Sequence, residues 1–121
     1  MIRFALPWPN PTLSPNARPH WAVKAKLTKG ARHTGKYVAL EAMAKDPASV
    51  MELLRQGRVR VSMEFMPPDR RRRDLDNLIA STKAVRDGIA DALAMDDSRF
   101  QLAATISDTP VNRGQIMVTI E

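Results

Sequence analysis

The run Asp69-Arg70-Arg71-Arg72-Arg73-Asp74-Leu75-Asp76-Asn77, with Asp96-Asp97 farther along, sets four consecutive arginines among five carboxylates. Arginine forks match phosphate oxygens in shape and charge, whereas clustered aspartates repel phosphate unless a divalent cation lies between them. The combination therefore implies a hard metal ion held against a phosphate. Mg2+ suits that role, with Mn2+ as a substitute, because it prefers oxygen, keeps several waters and is commonly held by one or two carboxylates plus substrate phosphate. An ion so held makes hydroxide from water and neutralises charge during phosphodiester hydrolysis. Other chemistries are excluded: the chain has no cysteine and only His20 and His33, so thiolate zinc, thiol redox and imidazole-rich sites are out of reach.

The residues that follow sharpen the pattern. Leu75, Leu78, Ile79, Thr82, Val85, Ile89 and Leu93 recur at three- and four-residue spacing, which predicts one helix from Leu75 to Leu93 with Asp74 at its N-cap. At about 100° per residue, Asp76, Lys83 and Asp87 share a face of that helix, with Asp76 and Lys83 about 10 Å apart along the axis. A scissile phosphate with its metal fits between them. Plainer roles also suit these residues. Asp74 is an ordinary cap and Asp76 a first-turn acid favoured by the helix dipole, and Lys83 with Asp87 is an i,i+4 pair in the weaker orientation. Asp96-Asp97-Ser98 also reads as a turn, and the arginine run as a solvated patch.

The remaining elements must position this segment. Ile2, Phe4, Leu6 and Trp8 alternate with Arg3, Ala5 and Pro7, predicting a strand over Ile2–Pro7. Five prolines from Pro7 to Pro19 then deny regular structure, leaving a basic loop with Trp21 at its end. Trp8 and Trp21 are expected as core or loop anchors, and His20 and His33 as surface or loop residues. A helix is predicted from about Lys29 to Ala44, a hinge at Lys45-Asp46-Pro47, and a short helix through Leu54. Val59, Val61, Met63 and Phe65 alternate in a second strand ended by Pro67-Pro68. Phe100 to Ile106 and Ile116 to Ile120 alternate again around Pro110, Asn112 and Gly114, predicting a C-terminal hairpin. The expected fold class is α+β.

Length and charge bound the rest. The 121 residues suit one domain over 1–121. The apolar stretches fall short of the roughly 20 residues that span a bilayer and the start lacks a signal-peptide pattern, so a soluble, cytoplasmic protein without a membrane partner is expected. A net charge of +6 favours a polyanionic partner, nucleic acid first. The charge is also segregated: Arg3, Arg18, Lys24, Lys26, Lys29, Arg32 and Lys36 lie in residues 1–36 without any acid, while residues 61–121 hold eight basic against ten acidic residues. A basic surface that merely keeps a small protein soluble is the alternative.

Met66-Pro67-Pro68-Asp69-Arg70-Arg71-Arg72-Arg73-Asp74-Leu75-Asp76-Asn77-Leu78, with the later Asp96-Asp97 and with Leu6-Pro7-Trp8-Pro9 near the start, resembles the RusA-type Holliday junction resolvases. The resemblance implies a small homodimeric, Mg2+-dependent endodeoxyribonuclease of phage or prophage origin that resolves four-way DNA junctions by paired symmetric nicks in recombination and repair. Its fold would be a mixed sheet of about four strands packed with two to three helices. Asp74, Asp76 and Asp97 would be the metal-binding catalytic carboxylates. The family's lysine normally comes four residues after the second Asp of the motif, which here is Ala80. Lys83 comes into register if one helical turn is inserted after Leu78, which also aligns Asp87 with an Asp that the family carries. Arg73 resembles a position linked to DNA binding, and Asn77 belongs to the same motif. Backbone grip is expected from Arg70, Arg71, Arg72 and Arg73 and from a basic loop through Arg18, Lys24, Lys26, Lys29 and Arg32, giving structure-selective recognition. A non-catalytic branched-DNA-binding module and a metal-dependent nuclease for flaps or other branched DNA are the alternatives.

Overall fold

Strand periodicity translates directly into a sheet with one buried face. In the computed structural model, which describes residues 1–121, β1 (Ile2–Pro7), β2 (Val59–Met66), β3 (Phe100–Ile106) and β4 (Gln115–Ile120) form one sheet in the order β1-β4-β2-β3. Ile2, Phe4 and Leu6, then Val59, Val61, Met63 and Phe65, then Ile116, Val118 and Ile120 all point into the core. β4 runs antiparallel to both β1 and β2, and β2 runs parallel to β3, so the sheet is mixed. Phe4, Val118, Met63 and Ala104 stand in one row across it.

The predicted hairpin does not form. β2 lies between β3 and β4, because β2 and β3 are parallel partners joined by a helical crossover, as parallel pairing requires. The chain leaving β3 passes over the end of β2, where Ser107 N–H donates to the Phe65 carbonyl at 2.8 Å and Val111 N–H to the Pro67 carbonyl at 2.9 Å. Arg113 and Gly114, both with positive φ, then turn it into β4. The turn residues were a correct sign of a reversal, but strand pairing is decided by burial: β4 has an apolar face flanked on both sides, and β1 and β2 supply those flanks.

Four helices cover the apolar face of the sheet: α1 (Trp21–Ala44), α2 (Pro47–Arg55), α3 (Leu75–Ser81) and α4 (Lys83–Leu93). Two of them differ from expectation. α1 begins two turns earlier than predicted, at a cap in which His20 Nδ1 accepts from the Ala22 N–H at 3.1 Å. Its first turns are almost wholly exposed and rest on the helix-favouring run of Ala, Lys and Leu rather than on packing. Lys24, Lys26 and Lys29 therefore stand on a helix and not on a loop. The second difference is that the helix predicted over Leu75–Leu93 is two helices, which raises the count to four.

The break falls at Thr82, which is fully buried. Its hydroxyl donates to the Ile79 carbonyl at 2.7 Å while its own N–H donates to the same oxygen at 3.1 Å, a local pairing that competes with the α-helical ladder. Arg86 braces the break by donating to the Ile79 carbonyl and to the Thr82 hydroxyl, each at 3.2 Å. Burial pushes the Arg86 guanidinium below its usual range.

α1 and α4 meet backbone to backbone. A Cβ on Gly35 would lie 2.3 Å from the Val85 carbonyl oxygen, and one on Gly88 would lie 2.0 Å from that of Arg32. Beside this crossing Arg32 and Asp91 form a bidentate ion pair at 2.7 and 2.9 Å. Gly88→Ala is expected to destabilise the protein by about 1–3 kcal/mol, since the helices must move apart. Gly30→Ala, where a Cβ meets nothing within 4 Å, should be neutral or stabilising by up to about 1 kcal/mol. Urea unfolding of the two variants checks both signs.

Candidate functional site

The arginine-rich loop is folded onto itself by its last arginine. Pro67 and Pro68 end β2, and the Asp69 carboxylate accepts from the Arg71 N–H at 2.9 Å. Arg73 turns inward, its side chain only 15% exposed. It donates to the Asp69 and Arg71 carbonyls at 3.1 and 3.0 Å and to the Asp69 carboxylate at 2.9 Å. Its guanidinium stands 5.3 Å from the centre of the Trp8 ring, and Trp8 in turn packs edge-on against Phe65 with ring centres 6.1 Å apart. Trp8 is thus an anchor, as expected. The Arg71 N–H, followed by Arg73, holds the Asp69 carboxyl below the usual carboxylate range. The guanidinium of Arg73 is engaged within the loop, whereas Arg70 and Arg72 are exposed and form no ion pair, and Arg71 makes only a loose contact with Asp69 at 3.6 Å.

Asp74 caps α3, its Oδ1 accepting from the backbone N–H groups of Asp76 at 2.9 Å and Asn77 at 3.4 Å. Its other oxygen is unengaged, and Asp76 is exposed in the first turn without a partner. Across the Thr82 break, Lys83 opens α4 and donates to Asp87 at 2.9 Å and to Asp97 Oδ2 in a short contact. Asp97 begins a 3-10 turn after α4 that Asp96 caps by accepting from the Ser98 N–H at 2.8 Å. Hydrogen bonds to Asp97 and Asp87 raise the Lys83 ammonium above its usual value. Held as a cation, it is suited to neutralising an oxyanion and unsuited to acting as a base.

These groups border a groove. The proline-rich segment after β1 forms one wall, with a 3-10 turn over Pro11–Leu13. Opposite Trp8, Pro9 and Ser14, a cavity of about 240 Å3 is lined by Arg71, Asp74 and Asn77. Farther along, one of about 310 Å3 is lined by Lys24 and Thr28 of α1 and by Lys83 and Asp87 of α4. Ser81 borders both, so the cap of α3 and the start of α4 face a common channel. Asp76 and Asp97 line neither cavity.

The carboxylates do not converge. No group of three or more His, Asp or Glu side chains stands close enough to share a metal ion. The donor chemistry suits a hard cation, and Mg2+ needs only one or two protein carboxylates beside water and phosphate. The free oxygen of Asp74 and the carboxylate of Asp76 are available for that, whereas Asp97 would have to release Lys83. Among the basic residues, Arg18, Lys24, Lys26 and Lys29 are exposed and unpaired, and Arg32 is held by Asp91. Trp21 is 76% exposed and anchors nothing. Arg86 escapes a sequence reading because it looks like an ordinary surface residue of a continuous helix; only the break gives it a role.

Fold and groove define a small two-layer α+β protein in which a capping acid and a paired lysine stand at the two ends of α3. No model of a known protein family matches the chain. A protein of Xylella fastidiosa (strain Temecula1), named only as uncharacterized, is 42% identical over 120 residues, which cover 99% of this chain and 76% of that protein. The chain belongs to the same family as that protein.

The loop closure generates a test. Arg73→Lys, which removes the forked contacts, should destabilise by about 1–3 kcal/mol and shift the near-ultraviolet signal of Trp8 in a Trp21→Phe background. Because the Asp69 carboxyl is held low, its contribution is complete above its ordinary pKa and fades as pH falls through the lowered one. The same Trp8 signal should therefore change in that acid window and be insensitive to pH in Asp69→Asn.

Proposed function

We propose that the protein is a Mg2+-dependent, structure-selective endodeoxyribonuclease of the RusA type that cuts four-way DNA junctions by paired nicks. The observation that carries this reading is the groove, with Asp74, Asn77 and Arg71 at one end, Lys83 at the other, and the unpaired Lys24 on its rim. Arg70, Arg71 and Arg72 and the exposed lysines of α1 would bind phosphates on either side of the scissile bond, which makes affinity fall steeply with salt. Asp74 and Asp76 would hold the cation, joined by Asp97 once Lys83 turns from it to the phosphate. Bound Mg2+ supplies an activated water and neutralises charge on the phosphate. Lys83 would stabilise charge on the leaving oxygen and return a proton to it. What supports the alignment through a turn inserted after Leu78 is that the break at Thr82 follows directly on the three residues so inserted.

Two symmetric cuts call for a two-fold dimer, in which an isologous interface presents two identical sites to related strands. Such a protein would act in the cytoplasm of a bacterium or its phage, and no helix here is long and apolar enough to cross a membrane. One observation favours a second reading, a branched-DNA-binding module: Asp74 is a cap, Asp97 is paired with Lys83, and the acids do not converge.

A cleavage assay on an immobile four-way junction against linear duplex, with Mg2+, Mn2+ or EDTA, separates the readings. Paired, metal-dependent nicks confined to the junction are expected. Asp76→Asn should lower the rate by at least about 100-fold while junction binding persists. Junction binding without nicking under any metal would establish the module instead, and asymmetric cuts on flaps the broader nuclease.

A further inference from the structure

Between the cavities bordered by Asp74 and by Lys83 lies a third and larger one, of about 400 Å3, within the roughly 300–1,000 Å3 typical of small-ligand sites. It shares Trp8, Pro9 and Asn10 with the first, Leu13 with the second and Ser81 with both. Its apolar walls include Trp8, Leu13, Leu27, Val85 and Ile116, and no acidic side chain lines it.

Its polar groups are few and have capacity to spare. Asn10 accepts from the Thr12 N–H at 2.9 Å through Oδ1, while its amide NH2 donates to nothing in the protein. Ser81 donates to the Asn77 carbonyl at 2.8 Å and so keeps its lone pairs as acceptors. Lys26 reaches the cavity without an ion-pair partner. A slot with apolar sides, separate donors and acceptors at its edges and a cation suits a flat heteroaromatic ring attached to an anion.

An independent observation concerns Gly30. It lies on the face of α1 that lines the cavity, together with Lys26, Leu27, Ala31 and Thr34. Glycine weakens a helix interior relative to alanine. Gly35 and Gly88 are required by the helix crossing, whereas a Cβ on Gly30 would meet nothing within 4 Å. No packing contact explains the missing side chain; what it leaves is room in the cavity.

Resting on the nuclease reading, we propose that this cavity receives a nucleobase swung out of the stack at the branch point, with its flanking phosphates lying toward the Asp74 and Lys83 ends of the groove. Extrusion is least costly where pairing and stacking are already interrupted, as at a strand crossover. The base would register the backbone against the two ends of the groove, and its fit would bias which nucleotide is placed there.

Four-way junctions carrying 2-aminopurine at successive positions around the branch, saturated with the full-length protein in EDTA, test this. A several-fold rise in emission is expected at one position on each of two symmetry-related strands. Gly30→Leu, folded by circular dichroism and shown by anisotropy to be bound, should abolish the rise by filling the cavity. A silent probe at every position in a bound wild-type complex overturns the proposal, and this arm stands even if the variant fails to fold. A rise that survives in folded Gly30→Leu also overturns it. The two readings fail differently: a protein that nicks junctions with a silent probe loses the pocket alone, one that gives the rise without ever nicking loses the nuclease alone, and one that binds no junction loses both.

Discussion

The backbone contact of α1 with α4 at Gly35 and Gly88 is the constraint on which the site depends. Only glycine lets two helices approach that closely, and the bidentate Arg32–Asp91 pair holds them in register beside the crossing. With α4 seated on the sheet through Ile89 and Leu93, the crossing fixes where α1 runs. α1 then supplies one side of the groove, the arginine-rich loop and α3 the other, and the proline segment the wall between. A small shift at the crossing would therefore change the whole channel.

Much of the fold was legible because one physical signal dominated locally. Period-two burial located β1, β2 and β4, and Asp74 was recognisable as a cap because a short acceptor before an apolar helix has little else to do there. The failures share a different cause. The hairpin, the single helix over Leu75–Leu93 and the late start of α1 were all decided by partners distant in sequence or by their absence. β2 inserts between β3 and β4 through a pairing set by a helical crossover. Thr82 breaks its helix in a buried setting against Met63 that its own neighbours do not announce. The first turns of α1 carry no apolar stripe, because little more than Leu27 is covered there.

The site follows the same division. Residue types identified Asp74, Asp76, Lys83 and Asp97 as chemically apt, and the pairing of Lys83 with Asp87 was readable from spacing. That Lys83 also meets Asp97 depends on the break and on the 3-10 turn that follows α4. Which arginines face outward could not be read from four identical letters: Arg73 differs from Arg70, Arg71 and Arg72 only because Trp8 and Asp69 lie within its reach. Arg32 likewise reads as a free cation in the sequence, because Asp91, its partner, lies 59 residues away.

The exposed beginning of α1 has a mechanical consequence. From Trp21 to about Gly30 the helix is a rod fixed at one end, clamped at Gly35 and bare along most of its outer length. Bending of such a rod is governed by its root, and the root here contains the residue that stiffens a helix least. The width of the channel on that side thus depends on a helix segment held mainly from one end, with Gly30 near the base of the segment and Lys24, Lys26 and Lys29 along it.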